Sequence, residues 1–149
     1  MIAVLACFVA VLTVVSAADT TAYDKVNVFI ATGGLAYGYG SVNPGAQVPF
    51  GAVRLGPDTT IKAVDVGYRH FSGYNSQDNV VRAFSHTHLF GAGVNDFGNF
   101  GIMPFNLRNA DNLLNNVANF WWSEFSKDTE KGAPGYYAVS LKEPNVDVQ

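Results

Sequence analysis

Two histidines separated by one residue are the side chains of this sequence best suited to chemistry. His86 and His88 lie in the segment 83–98, AFSHTHLFGAGVNDFG, which continues through two glycines to Asp96. In a strand both imidazoles would point to the same face, because side chains alternate with a period of two. Such a pair could bind a transition metal, with His70 or Asp96 as third ligand, or form hydrogen bonds with a polyol. Alternatively, one or both histidines are buried and bonded to backbone carbonyls; the spacing alone leaves these interpretations open.

Tyrosines in glycine-rich loops are a second candidate for ligand contact. They are Tyr37, Tyr39, Tyr68 and Tyr74. An aromatic face can stack on a sugar ring while the phenolic hydroxyl forms a hydrogen bond. The alternative is that these rings pack in the core and in turns, as most aromatic side chains of a folded domain do.

Acidic side chains form no recognisable catalytic pair in the sequence. They are scattered through predicted loops, as Asp58, Asp65, Asp78, Asp96 and Glu130. A glycosidase needs two carboxylates about 5–9.5 Å apart, a distance that tertiary structure sets. Asp58, between a proline and a threonine, is predicted to be a turn residue. The Gly-Tyr-Gly and Gly-Ala-Gly runs lack the third glycine and the helix of a nucleotide loop, which excludes nucleotide binding.

The elements that must position these residues are predicted to be short strands. Apolar stretches of four to six residues are separated by Gly, Pro, Asn or Asp, at 26–30, 52–55, 80–84, 100–103 and 136–141. This pattern is typical of an antiparallel β-sandwich, so the fold class is predicted to be all-β. Apolar residues at three- and four-residue spacing also favour one short helix near 109–122.

Composition limits the remaining classes of protein. The chain has 149 residues, 48% of them hydrophobic, and a net charge of −3. This charge excludes a general nucleic-acid binder, because that function needs a basic face. Beyond the first segment, about 130 residues suit one domain or part of a larger one.

The N-terminal residues 1–17 differ from the rest of the chain. They carry no charge, and Thr13 and Ser16 alone among them are not hydrophobic. The run ends in small residues that a signal peptidase accepts, so 1–17 is predicted to be a signal peptide of a protein that is secreted or in the endomembrane lumen. An uncleaved membrane anchor is the alternative, although 17 residues is short for a hydrocarbon core of about 30 Å. Cleavage would remove Cys7, the single cysteine.

Four blocks, in order along the chain, resemble a known family. They are VNVFIATGG at 26–34, NPGAQVPFGAVRLGPDT at 43–59, FSHTHLFGAG at 84–93 with DFG at 96–98 and Met103-Pro104, and PGYY at 134–137. Together they are similar to the N-terminal domain of glycoside hydrolase family 92, which comprises calcium-dependent, exo-acting α-mannosidases. The similarity runs from about residue 25 to residue 142.

The resemblance implies an N-terminal β-sandwich followed by a larger helical toroid, with the active site where the two meet. It implies inverting hydrolysis by a Glu acid and an Asp base that both belong to the toroid, so no catalytic residue is expected in this chain. It also implies calcium as cofactor, with ligands mainly outside this chain and no metal ligand assigned within it. Residues 18–149 would then be a partial sandwich domain.

The resemblance also assigns substrate-binding residues one by one. The family's pocket aromatic aligns with Tyr68, and its histidine loop aligns with His86 and His88. The Asp of the family's Asp-Tyr-Gly-Asp motif aligns with Asp96.

The chain departs from the family pattern at several positions. Tyr68 replaces a common Trp, Arg69 stands where many members have Asp, and Asn99 replaces the second Asp of the motif. The changes at Tyr68 and Arg69 bear on the sugar subsite. Ala31, in place of a usual Gly, mainly affects a turn.

The sequence therefore predicts the substrate-pocket half of a secreted, inverting α-mannosidase acting on mannose-containing glycans. Taken alone, the chain is predicted to be inactive because the helical catalytic domain is missing. Its predicted partners are a mannose glycan and that C-terminal helical domain, with no nucleic acid and no stable membrane association once the signal is cleaved. A stand-alone carbohydrate-binding module and a purely structural fragment are the alternatives.

Overall fold

A computed structural model describes the chain at residues 21–34, 42–47, 51, 53–61, 70–88, 90–91, 100–106, 122–143 and 145–149. Through these residues run the strands β1 (Gly56–Thr60), β2 (Val80–Ser85), β3 (Gly101–Ile102), β4 (Ser123–Glu124), β5 (Lys131–Ala133), β6 (Tyr136–Leu141) and β7 (Val146–Val148). The helical elements of this described part are two 3-10 turns, at Tyr23–Lys25 and Lys127–Thr129. The prediction of an all-β fold is confirmed.

Two antiparallel sheets are built from these strands. In the first, β2 lies between β1 and β3 and also pairs with β4; the second has the order β5-β6-β7. Asp58 of β1 is opposite Ala83, but Thr59 is opposite Val81. Arg82 is therefore the extra residue of a β-bulge in the centre of this pair.

An apolar core joins the two sheets. Val81 and Phe84 of β2 belong to one buried cluster with Tyr137, Val139 and Leu141 of β6. The rings of Phe84 and Tyr137 are 6.4 Å apart and tilted. Because alternate residues of β6 are buried, one face of this strand packs inward, as a period of two requires.

Strand β1 is buried without being apolar. All five of its residues, Gly-Pro-Asp-Thr-Thr, are buried. Near its start, the Asn43 amide donates hydrogen bonds to the carbonyls of Pro57 and Ser72, each at 3.0 Å. Polar groups are buried at low cost only when they find partners, so the partners of Asp58 and Thr59 decide how this strand is stabilised.

The predicted strand positions are confirmed for β2 and β6 and in part for 100–103, whereas the strands predicted at 26–30 and 52–55 are wrong. The prediction at 100–103 shrinks to the two residues of β3. Residues 26–30 form turns instead, in which the amides of Ile30 and Thr32 donate to carbonyls three residues earlier. Ala31 in this turn has φ of +64°, the region that favours the glycine usual at this position. The strand predicted at 52–55 begins later, at Gly56.

Two other predictions fall outside the described residues. They are the signal peptide at 1–17 and, apart from Trp122, the helix near 109–122. Over the part of the chain that is described, no helix has both the length and the apolar character needed to cross a bilayer.

Candidate functional site

His88 lies inside the molecule because the chain leaves the strand before reaching it. β2 ends at Ser85, and Thr87 has φ of +56°, a left-handed conformation that β-branched residues rarely adopt. His88 is then only 4% exposed. Its Nε2 lies 3.0 Å from the Ser85 hydroxyl and 3.5 Å from Oδ1 of Asp58.

His86, by contrast, stays half-buried. Its Nδ1 lies 3.0 Å from the carbonyl oxygen of Phe100. Since a carbonyl only accepts, Nδ1 carries the hydrogen, and Nε2 of the neutral ring is then an acceptor. The predicted common face for His86 and His88 is wrong, because the period-two rule holds within a strand and β2 has already ended.

Ser85, His88 and Asp58 supply the residue types of a hydrolase triad without its geometry. In a triad, the serine and the carboxylate bind opposite nitrogens of the imidazole. Here both oxygens pair with the same nitrogen, Nε2, and Ser85 is fully buried. This arrangement can hold the ring in place, but Asp58 is not at Nδ1, where a triad carboxylate orients the imidazole that takes the serine proton.

A second buried imidazole–carboxylate pair lies beside the first. His70 Nε2 is 2.7 Å from Oδ2 of Asp78, and the two side chains are 5% and 1% exposed. The Thr59 hydroxyl donates to the same carboxylate oxygen at 2.7 Å, and the amide of Asn75 donates to that hydroxyl at 2.9 Å. Thr59 thus connects strand β1 to both the pair and the loop that follows His70.

Gly73 packs tightly against Asp58 and His88. Its φ is +80°, and its carbonyl accepts from the amide of Thr59 at 2.7 Å. A Cβ at this position would overlap Oδ1 of Asp58 and lie 2.8 Å from Cε1 of His88. Only glycine therefore satisfies both the conformation and the space.

The second sheet carries a different polar cluster. The hydroxyls of Tyr74 and Tyr137 both donate to Oε1 of Glu130 at 2.7 Å. Lys127 donates to the Tyr74 hydroxyl at 3.0 Å and to Oε2 of Glu130 at 2.9 Å. Burial, followed by the charge of Glu130, raises the pKa of both tyrosines well above the usual value of 10.0. Both hydroxyls thus stay protonated as donors.

An open cleft borders the histidine loop. Arg54 donates from Nη1 to the carbonyl of His88 at 2.9 Å and from Nε to Oε1 of Gln47 at 3.0 Å. Its guanidinium lies 3.3 Å from the centroid of the Phe90 ring, and Phe90 is 56% exposed. The cleft encloses about 300 Å³. Its walls combine planar polar groups with exposed apolar side chains such as Ile30.

Two predicted sugar residues, Tyr68 and Asp96, lie outside the described residues. The structure brings His88 together with Asp58, which the sequence had assigned to a turn. That assignment is wrong, because Asp58 lies within β1 and is 2% exposed. One signal was available, because Asp58 stands inside the block 43–59 that resembles the family. Direct sugar contact by His86 or His88 stays a prediction.

The described residues do not offer a calcium site. Among them, no three His, Cys, Asp or Glu side chains come together as a metal site. His70, considered from the sequence as a third ligand for a transition metal, pairs with Asp78, and Glu130 accepts from tyrosines. Calcium needs about six to eight oxygen ligands, which these sets do not provide. No calcium ligand is therefore assigned to the described residues.

Comparison with known proteins identifies the family. Residues 25–149 match the glycosyl hydrolase family 92 N-terminal domain, and the chain belongs to this family. No curated protein matches the chain significantly.

Solved structures agree with this assignment. The family GH92 α-mannosidase BT3965 from Bacteroides thetaiotaomicron, solved in complex with mannoimidazole, shares 34% identity over 84% of this chain, with a TM-score of 0.60. The same enzyme, described without that ligand, gives a TM-score of 0.61. The GH92 family glycosyl hydrolase ccman5 is 26% identical over 80% of the chain, with a TM-score of 0.58. The chain spans 16% of the length of BT3965 and 14% of ccman5.

Proposed function

We propose that this chain forms the sugar-contacting, N-terminal part of a secreted, inverting α-mannosidase. The observation that carries the proposal is the 34% identity to BT3965 over 84% of the chain. That relative is an α-mannosidase whose structure holds mannoimidazole, which supports a mannose-configured ligand for this chain.

The cleft beside the histidine loop supports sugar contact. Phe90 presents an exposed aromatic ring, and Arg54 and Gln47 hold planar polar groups beside it. Sugar rings have apolar C–H faces and hydroxyl edges, which suit such mixed walls. His86 adds an acceptor nitrogen for a sugar hydroxyl. With the sequence-aligned Tyr68 and Asp96, these residues make up the proposed contact set.

Bond cleavage requires groups beyond these residues. An inverting glycosidase holds an acid and a base about 6.5–9.5 Å apart so that water fits between them. The buried carboxylates Asp58, Asp78 and Glu130 instead face imidazoles or tyrosine hydroxyls. We propose that the acid, the base and the calcium ligands belong to the part of the relatives that this chain does not span.

A binding and activity experiment tests this function. Residues 18–149 are expressed and titrated with methyl α-mannoside, with methyl β-galactoside as control ligand, while hydrolysis of a chromogenic α-mannoside is followed with calcium present. We expect weak binding of the mannoside, no binding of the galactoside and no hydrolysis. His86→Ala should weaken mannoside binding. Calcium-dependent release of mannose would contradict the proposed division of roles, and equal affinity for both glycosides, or none, would contradict sugar contact.

A further inference from the structure

Arg54 contacts three groups beside the cleft at once. Its Nη1 donates to the His88 carbonyl at 2.9 Å, and its Nε donates to Oε1 of Gln47 at 3.0 Å. Its guanidinium carbon lies 3.3 Å from the centroid of the Phe90 ring. The guanidinium is therefore held by two hydrogen bonds and stacked on an aromatic ring.

The two hydrogen-bond acceptors belong to fixed parts of the fold. His88 is 4% exposed, so its carbonyl belongs to an interior residue. Gln47 directly follows Ala46 and Arg54 directly precedes Leu55, and these two neighbours form an antiparallel bridge. The position of the guanidinium is thus set by the fold before any ligand binds.

Phe90 is held in a different way. It is 56% exposed and lines the cleft, so burial in the core does not fix its ring. A cation–π contact with a planar guanidinium contributes about 0.5–1 kcal/mol at an exposed site. Because Arg54 covers one face of the ring, the opposite face is the one available to a ligand in the cleft.

An arginine suits this position better than a lysine does. A guanidinium is planar and presents several N–H groups in a fixed fork, so it can form two hydrogen bonds while an aromatic ring stacks on its face. An ammonium group is a compact point charge on a flexible stem. Replacing Arg54 by lysine would therefore keep the charge and lose the connection between the ring and the two acceptors.

We propose that Arg54 is a positioning residue, which holds the Phe90 ring and the Gln47 amide together in one wall of the cleft. The open face of the ring is then preset to stack on the apolar C–H face of a sugar. This inference rests on the proposed function and adds to it how the sugar contacts are held in place. Arg54 contributes to affinity through Phe90.

The test changes the cation and the ring separately in the full chain. Arg54→Lys keeps the positive charge and loses the planar fork. Phe90→Leu keeps an apolar side chain and loses the aromatic face, whereas Phe90→Tyr keeps that face. Arg82→Lys is the matched control, because Arg82 belongs to β2 and is not among the residues that line the cleft.

Titration with methyl α-mannoside gives the first readout. Phe90→Leu should weaken binding by about tenfold and Arg54→Lys by about fivefold, whereas Phe90→Tyr and Arg82→Lys should stay within about twofold of wild type. The double variant Arg54→Lys/Phe90→Leu should bind within about twofold of Phe90→Leu, because two residues that act through one contact are not additive.

NMR gives a second readout that needs no sugar. The Nε–H resonance of Arg54, identified by its loss in Arg54→Lys, should lie upfield because of the ring current of Phe90. Phe90→Leu should move this resonance downfield, and Arg82→Lys should leave it in place. In Arg54→Lys, the ring-proton resonances of Phe90 should move towards their random-coil values, because the ring is no longer held.

Two results would overturn the proposal. Additive losses of affinity, about fiftyfold in the double variant, would show that Arg54 acts independently of the ring. An Nε–H resonance that does not respond to Phe90→Leu would show that the two groups are not stacked, and this result decides the question where Arg54→Lys does not fold. If the wild type binds no mannoside, the proposed sugar function fails, and the resonances alone decide whether Arg54 positions Phe90.

Discussion

Glu130 and Asp78 are both buried carboxylates, yet their surroundings differ. Glu130 accepts from two tyrosine hydroxyls and a lysine, whereas Asp78 accepts from a threonine hydroxyl and faces an imidazole. Around Asp78 and Asp58 the backbone contains a bulge and the positive φ of Gly73 and Thr87.

The difference indicates two roles for buried polar groups. The tyrosine cluster, defined as Tyr74, Lys127, Glu130 and Tyr137, stabilises the second sheet through tyrosine hydroxyls that stay protonated as donors. The histidine region, defined as Asp58, His70, Asp78 and His88, is bordered by the β-bulge opposite Asp58 and by the left-handed φ of Thr87. Bulges and strain of this kind concentrate where a fold presents functional segments.

The largest expected effect tests the close packing of the histidine region. Gly73→Ala should lower the free energy of unfolding by about 3 kcal/mol, since a left-handed φ costs about 1–2 kcal/mol and overpacking a similar amount. Gly91→Ala is the matched control, because Gly91 has φ of +98° and, among the described residues, no atom lies within 4 Å of its Cβ position. It should lose under about 2 kcal/mol. Urea unfolding measures both losses of stability. Equal losses in the two variants would show that close packing around Gly73 does not contribute to the stability of the histidine region.

The stability that the tyrosine cluster contributes should depend on alkaline pH. Tyr74 and Tyr137 keep their protons in the folded state because their pKa values are raised, whereas the unfolded tyrosines ionise near 10.0. Their stabilisation is therefore complete below pH 10 and declines as the pH rises above it. Because both tyrosines ionise in the unfolded state only, the free energy of unfolding should fall by up to about 2.7 kcal/mol per pH unit above pH 10.

Tyr137→Phe should halve that slope and cost about 1 kcal/mol at neutral pH. Tyr136→Phe is the control on the same strand, because the Tyr136 hydroxyl makes an exposed 3.4 Å contact with Gln149. Its loss should cost under about 0.5 kcal/mol. Urea unfolding at intervals from neutral to alkaline pH measures the slopes; an unchanged slope in Tyr137→Phe would show that its hydroxyl does not stay protonated in the fold.

The smallest expected effect concerns strain at the histidine loop. Thr87→Gly should raise the free energy of unfolding by about 0.5–1 kcal/mol, because it relieves a left-handed β-branched residue at the entropic cost of glycine. Within the described part of the chain, the buried Thr87 hydroxyl also finds no hydrogen-bond partner. Thr129→Gly, beside the tyrosine cluster, should instead be destabilising, since the Thr129 hydroxyl donates to the Ser126 carbonyl at 2.8 Å. Destabilisation by both changes would show that Thr87 stores no strain.

The sequence predicted elements whose pattern is local. Strand β6 follows a Pro-Gly turn and alternates buried and less buried residues, so its position could be predicted from its own residues. Strand β1 could not be predicted this way, because Gly-Pro-Asp-Thr-Thr has the composition of a turn. It forms a strand because β2 and the loop after His70 supply partners from distant positions.

The sequence by itself determined the all-β class, strands β2 and β6 and membership of the family, because periodicity and ordered blocks are properties of consecutive residues. Only the tertiary structure decided that His88 turns inward while His86 stays half-buried. It also decided that Asp58 is a strand residue that faces His88 and not a turn residue. The reason is physical: a backbone reversal at Thr87 and imidazole–carboxylate contacts between residues 8 and 30 positions apart fix these side chains, and no local pattern encodes such contacts.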